Sequence, residues 1–279
     1  MGGRVDEPYL TDVGWTAGVL RLRGRVPDVR VDAPDLVVLV RERDGDRVLP
    51  VPAVPVPDGG GTAFEAAVDP ATALAGSVLS HGVWDLDLAV ESPVGARVTP
   101  LRAGSEVTLD GTPQRRFLPG STPVTVYFDR HGQLALDVGG EPRTAGDCQA
   151  DTVDWNGRDE ELMISGHLAL PDADAPVTAW MSLREPSRDR SYDAFVRLGR
   201  AEGLLTYIAA VPLTRAFIDD PLPRGRWGVH LVLGVSGIHR EFRVLAPQDP
   251  FSHQVRRRLV PYRVTTTSAP DPLVIHIGR

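Results

Sequence analysis

Gly82-Val83-Trp84-Asp85-Leu86-Asp87-Leu88 and Gly225-Arg226-Trp227-Gly228-Val229-His230-Leu231 lie 143 residues apart, and the fold turns on reading them as one motif written twice. At the same offset Phe64-Glu65-Ala66-Ala67-Val68 falls on Tyr207-Ile208-Ala209-Ala210-Val211, and Arg41-Glu42 falls on Arg184-Glu185. With small shifts Trp15 meets Trp155 and Gly24 meets Gly166. Arg115-Arg116-Phe117-Leu118-Pro119 matches Arg257-Arg258-Leu259-Val260-Pro261, and Leu134 to Gly139 matches Leu273 to Gly278. The expected organisation is a first copy over 1–145 and a second over 146–279.

Within each copy the pattern is strand, turn, strand. Val19-Leu20-Arg21-Leu22-Arg23-Gly24-Arg25-Val26 alternates apolar and basic residues, as a strand with one buried face requires. Arg43-Asp44-Gly45-Asp46-Arg47 reads as a hairpin turn in which Asp-Gly supplies a positive φ. Asp129-Arg130-His131-Gly132 reads as another, between Val124–Phe128 and Gln133–Val138. The 25 prolines and 28 glycines suit many short strands and suit long helices poorly. Ala71–Ser80 and Leu213–Asp219 are expected to form short helices. About seven strands per copy, with turns every ~8–12 residues, point to an all-β chain of two tandem immunoglobulin- or fibronectin-like β-sandwich repeats. Each repeat is followed by a short β-hairpin extension, and a barrel fits the same pattern.

Composition limits the function classes. The net charge of −7 argues against nucleic acid and anionic membranes as general partners, because both reward a basic face. All 30 basic residues are arginine, which fits the codon bias of a GC-rich bacterial genome and excludes Schiff-base and Walker-type lysine chemistry. One cysteine, Cys148, excludes an internal disulfide and a cysteine zinc cage. The N-terminal stretch has no apolar signal region, and no apolar run reaches the ~18 residues that span a bilayer. The expected compartment is a bacterial cytoplasm, without membrane insertion.

The candidate site residues separate into shared and copy-specific ones. Trp84 and Trp227 recur at one strand start and read as core anchors rather than sugar platforms. Trp15 and Trp155 open each copy, where a less buried terminal strand leaves a ligand role open. Trp180 stands where the first copy has Val37, and with Tyr192, His239 and Asp87 it belongs to the residues that break the repeat. A single binding or active site is expected among such residues. Asp85-Leu86-Asp87 resembles a cation-holding Asp-x-Asp, but it lies in an alternating strand with both carboxylates on the solvent side, and Gly228 and His230 replace it in the second copy. Neither a metal site nor a cofactor is expected. The seven histidines form no close ligand set, and Gly234-Val235-Ser236-Gly237 lacks the last glycine of a nucleophile elbow. Arg256, Arg257, Arg258 and Arg263 form the dense basic patch, read either as an anion-binding surface or as a guarded strand edge.

The Gly82–Leu88 phrase, the apolar strand before it and the closing Arg-Arg-x-x-Pro to Leu-x-Leu-x-Val-Gly strands resemble the β-sandwich repeats appended to actinobacterial glycosyltransferases of the teichoic-acid polymer type. That resemblance implies sugar-polymer contact or subunit association, with catalysis left to a separate nucleotide-sugar domain that no stretch here matches. The expected function is a non-catalytic binding or assembly module serving a glycosyltransferase or other biosynthetic enzyme, with carbohydrate as a candidate ligand. Two alternatives stay open. One is an enzyme of bacterial secondary metabolism with its site in a cleft between the copies. The other is a purely structural partner that acts through the tails 104–145 and 247–279.

Overall fold

The computed structural model describes residues 7–27, 35–58, 61–92, 95–104, 109–169, 177–188, 190–213, 222–257 and 260–278. The chain divides into two compact units, 1–143 and 144–279. The fold is all-β, and among the described residues the one helical element is a 3-10 turn at Pro186–Arg188.

The first unit contains β1 (Tyr9–Thr16), β2 (Val19–Val26), β3 (Leu36–Glu42), β4 (Val48–Asp58), β5 (Gly61–Val68), β6 (Gly82–Ser92), β7 (Gly95–Pro100), β8 (Arg102–Ala103), β9 (Gln114–Phe117), β10 (Pro123–Phe128) and β11 (Leu134–Val138). Alternation sets its faces. In β2, Leu20, Leu22 and Val26 are buried while Arg21, Arg23 and Arg25 are exposed, because successive side chains point to opposite sides. Antiparallel pairing runs from β1 to β2, β5, β4, β3 and β6. The far edge of β6 is shared, with Gly82–Asp85 pairing β11 and Asp87–Ser92 pairing β7. β8 then runs parallel to β1, so the strand circuit returns to its start in a barrel-like closure. β11, β10 and β9 continue outward from β6 as an antiparallel extension.

The second unit contains β12 (Thr144–Asn156), β13 (Glu161–Leu168), β14 (Val177–Glu185), β15 (Arg190–Ala201), β16 (Leu204–Pro212), β17 (Gly225–Val235), β18 (Ile238–Leu245), β19 (Ser252–Arg257), β20 (Val260–Thr266) and β21 (Val274–Gly278). Its pairing runs from β12 to β13, β16, β15, β14, β17 and β18, and β18 returns parallel to β12. β21, β20 and β19 extend from the start of β17. Each unit holds its own core, around Leu22, Phe64, Trp84 and Leu136 in the first and Ile164, Tyr207, Trp227 and Ile275 in the second.

The recurring motif is built the same way in both units. Gly82 and Gly225 take φ of 132° and 155°, a region open to glycine. Trp84 and Trp227 are fully buried, and each indole N–H donates to a backbone carbonyl four residues upstream, Ser80 and Pro223, at 3.0 Å. β4 and β15 each serve two neighbours. Val48–Ala53 pairs β3 and Ala53–Asp58 pairs β5, while Arg190–Phe195 pairs β14 and Phe195–Ala201 pairs β16.

Two local expectations fail, and a third falls on residues that are not described. Ala71–Ser80 is not a helix. The N–H of Ala73 reaches the Asp69 carbonyl at 2.9 Å to make one turn, and Ala75 and Gly76 then enter the left-handed region at φ 49° and 87° and end it. Leu213 is buried, and the rest of the second expected helix lies outside the described residues. Gly45 does not take a positive φ. The loop is longer than a two-residue turn and closes through the Glu42 N–H to the Arg47 carbonyl at 2.9 Å, so neither central residue has to adopt the left-handed form.

Candidate functional site

One outward sheet face of the second unit gathers aromatic and polar groups. In β14 the side chains of Met181 and Leu183 enter the core, which turns Trp180, Ser182 and Arg184 to the opposite face, where Ser182 is buried and Trp180 and Arg184 are half-buried. Register then sets a row. Phe195 of β15 stands opposite Trp180, Val232 of β17 lies on the other side of Trp180, and Glu241 of β18 lies opposite Val232. Phe195 is 71% exposed, which is unusual for so large an apolar side chain on a regular strand. His239 meets the Trp180 ring edge-on at 5.3 Å between centroids. Ile208, also exposed, sits one diagonal step from Phe195, since Arg197 pairs Ile208 and Phe195 pairs Ala210.

Beside this row lies a buried charge cluster. Arg184 makes a two-pronged contact with Glu241, through Nη1 at 2.6 Å and Nη2 at 2.5 Å. His230 Nδ1 lies 3.1 Å from Glu241 Oε1, and its Nε2 is directed toward Gly228. Burial opposes the Glu241 charge, but the neighbouring His230 imidazole and the Arg184 hydrogen bonds outweigh it and hold the carboxyl at about 2. His230 is thus held against the buried Glu241 carboxylate.

The remaining sequence candidates are dispersed. Tyr192 pairs Leu183, so it turns to the opposite side of the sheet from Trp180 and packs on the core, where burial raises its hydroxyl pKa. Trp15 packs against the first core. Trp155 packs against the second, and the face it offered as a platform is covered by His253, stacked at 4.9 Å and 25°. Arg256 and Arg263 are exposed on the outward face of β19 and β20, and Arg263 Nε donates to Ser252 Oγ at 3.2 Å. Register adds Arg226 and His276 to that face, and burial together with Arg226 lowers the His276 pKa. The Arg257 side chain and Arg258 lie outside the described residues. The Cys148 thiol is buried and pushed up to about 12 by desolvation, which leaves it inert.

Asp85 and Asp87 do not simply face solvent. Asp87 is buried because Arg41 Nε at 3.1 Å and Gln133 Nε2 at 3.0 Å close over its two oxygens. Asp85 binds Arg43 through Nε at 3.0 Å and Nη2 at 2.5 Å, and Arg43 also lies 3.3 Å from Asp129. Among the described residues no three ligating side chains converge as a metal site would need.

This network lines an open depression of about 580 Å³ on the first unit, bordered by Arg43, Asp85, Tyr127, Phe128, Asp129, Arg130, His131, Gln133 and Arg143. Burial works against the Asp129 charge, but the N–H groups of His131 and Gln133 and the Arg43 guanidinium hold its pKa below the usual value. Arg143 lies 3.7 Å over the Tyr127 ring and bonds Asp137 at 3.0 Å.

No protein-family model and no curated protein matches the chain. Among solved structures, S. aureus TarS aligns over 85% of this chain and 39% of its own, at 10% identity and a TM-score of 0.39. The TarS fragment 217–571 aligns over 86% and 62%, at 11% identity and a TM-score of 0.37. Pullulanase from Anoxybacillus sp. LM18-11, complexed with maltotriose, aligns over 84% and 24%, at 13% identity and a TM-score of 0.22. The chain thus spans less than two thirds of each of these proteins. No sequence family accompanies the resemblance to the repeats of teichoic-acid-type glycosyltransferases.

Proposed function

We propose that this chain is a non-catalytic carbohydrate-binding accessory module, built as two tandem immunoglobulin-type β-sandwich repeats with hairpin extensions, and working beside a glycosyltransferase or other biosynthetic enzyme in the bacterial cytoplasm. The observation that carries the reading is the aromatic row of the second unit, in which exposed Phe195 stands directly across from Trp180. Apolar rings carried on a sheet suit the C–H faces of sugar rings, and the polar groups alongside suit their hydroxyls. A stacking surface of this kind needs no nucleophile or general base. Among the reactive side chains beside the row, His230 and Arg184 are engaged by Glu241, and His239 packs edge-on against Trp180. In the two-layer reading, β4 and β15 are the strands that pass from one sheet to the other.

A glycan array probed with the full chain, together with a pull-down from a bacterial extract, tests the proposal. The expected result is retention on a subset of glycans that the Trp180→Ala/Phe195→Ala variant loses. An empty array with an empty pull-down, or turnover of a sugar substrate by the purified chain alone, contradicts it.

A further inference from the structure

We infer that the depression on the first unit is a second, separate site that binds an uncharged, hydroxyl-rich ligand, a neutral sugar residue or short neutral oligosaccharide. Its ligand class rests on the carbohydrate reading above, but it shares no residue with the aromatic row.

Three observations carry it. The first is asymmetry. At the 143-residue offset Arg43 becomes Pro186 and Asp85 becomes Gly228. Tyr127 becomes Thr267, because Val126 stands opposite Leu136 and so beside Trp84, while Thr266 stands opposite Ile275 and so beside Trp227. Residues kept in both units, such as Trp84 and Trp227, serve packing. These are not kept, so the packing of the shared fold does not require them.

The second is the chemistry of the lining. Asp85, Asp129, Gln133, Arg43, Arg130, Arg143 and His131 all carry planar polar groups, which hydrogen-bond neighbouring hydroxyls in pairs. Phe128 and the Arg143-capped Tyr127 ring add limited apolar area. The volume suits a ligand of roughly one to two sugar rings.

The third is charge balance. Arg43, Arg130 and Arg143 face Asp85, Asp129 and, beneath Arg143, Asp137. Arg43 and Arg143 are paired with Asp85 and Asp137, and Arg130 Nε donates to His131 Nε2 at 3.1 Å. An anionic ligand would have to draw one of these guanidiniums from its partner, and a cationic one would have to displace Arg43 from Asp85 or Asp129, whereas hydroxyl groups donate to the carboxylates and accept from the guanidiniums without breaking a pair. The turn is pre-set for this, since Asp129 Oδ1 accepts the His131 and Gln133 N–H groups at 2.8 and 3.1 Å.

The test is 1H–15N correlation NMR of the full chain titrated with glucose, N-acetylglucosamine and maltose, in parallel with glucuronate and glucose 6-phosphate. Wild type, Arg130→Ala and Phe195→Ala are compared. A neutral sugar is expected to shift the amides of Arg43, His131 and Gln133. Arg130→Ala should weaken that binding about tenfold, and Phe195→Ala should leave it unchanged. Shifts confined to Trp180 and Phe195 overturn this inference and leave the proposed function standing, while shifts confined to the depression do the reverse. Stronger binding of the two acidic sugars than of glucose overturns the inference, as does the absence of shifts with every sugar.

Discussion

A Cβ on Gly24 would lie 2.5 Å from the Phe64 ring and from the Tyr9 carbonyl, and one on Gly166 would meet the Gln149 carbonyl and the Tyr207 hydroxyl. The two glycines are matched in the sequence because both units bring a large side chain and a backbone carbonyl against this strand position. Gly166→Ala is expected to destabilise the second unit by about 1–3 kcal/mol in urea unfolding. Gly14→Ala, where nothing lies within 4 Å, should stay within about 1 kcal/mol of wild type. Equal losses at both positions contradict this. Glu241 supplies a second residue-level prediction. Its folded pKa of about 2 lies below the usual 4.5, so its contribution is complete above pH 4.5 and is lost as pH falls from there through 2. Glu241→Gln should cost on the order of 2–4 kcal/mol at neutral pH and flatten the acid limb of the stability curve. An unchanged acid limb counts against the cluster. Some of this was readable beforehand and some was not. Trp180 was found by its absence from the first copy. Phe195 was missed because Ala194-Phe195-Val196 reads as one apolar run, although Ala194 and Val196 point inward and leave the ring outside. Asp87 looked solvated because its covers, Arg41 and Gln133, come from 46 residues away on either side.

Among the elements, β4 shows how sequence encodes a change of partner. Its prolines fall at 50, 52, 55 and 57. Backbone N–H groups alternate between the two edges of a strand, so Pro50 and Pro52 lack donors on one edge, and Pro55 and Pro57 on the other. The parity changes across Ala53, the residue where pairing passes from β3 to β5. Each half of the strand therefore keeps its missing donors on its open edge, where they cost least. Val54 is 63% exposed but its N–H has the parity that faces β5. Val54→Pro is thus expected to cost about 3 kcal/mol, whereas Pro55→Ala stays within about 1 kcal/mol, both read from thermal unfolding. Equal costs would place the open edge elsewhere. The proline parity was present in the sequence as a signal. The single turn at Ala71–Ser80 had none, because Ala75 is an ordinary helix former that the surrounding packing holds at positive φ.

At the scale of the whole molecule, the paired motif separated what packs from what differs. The residues repeated in both units, Trp84 with Trp227 and Gly24 with Gly166, turned out to be buried or in close contact. The groups with unusual exposure or charge, Phe195, Glu241 and the Arg43 network, occur in one unit each. Because each unit closes its own strand circuit around its own core, 1–143 and 144–279 expressed separately are each expected to give a β-type circular dichroism spectrum and a cooperative unfolding transition. An unfolded or insoluble half contradicts that independence. The function depends on a narrower point, that the Trp180–Phe195 row is a glycan platform. The direct measurement is a tryptophan-fluorescence titration of the full chain with a glycan retained on the array, comparing wild type with Phe195→Ala. The account predicts a saturable change in emission and a dissociation constant raised at least about tenfold in the variant. Equal affinity in the two proteins contradicts it.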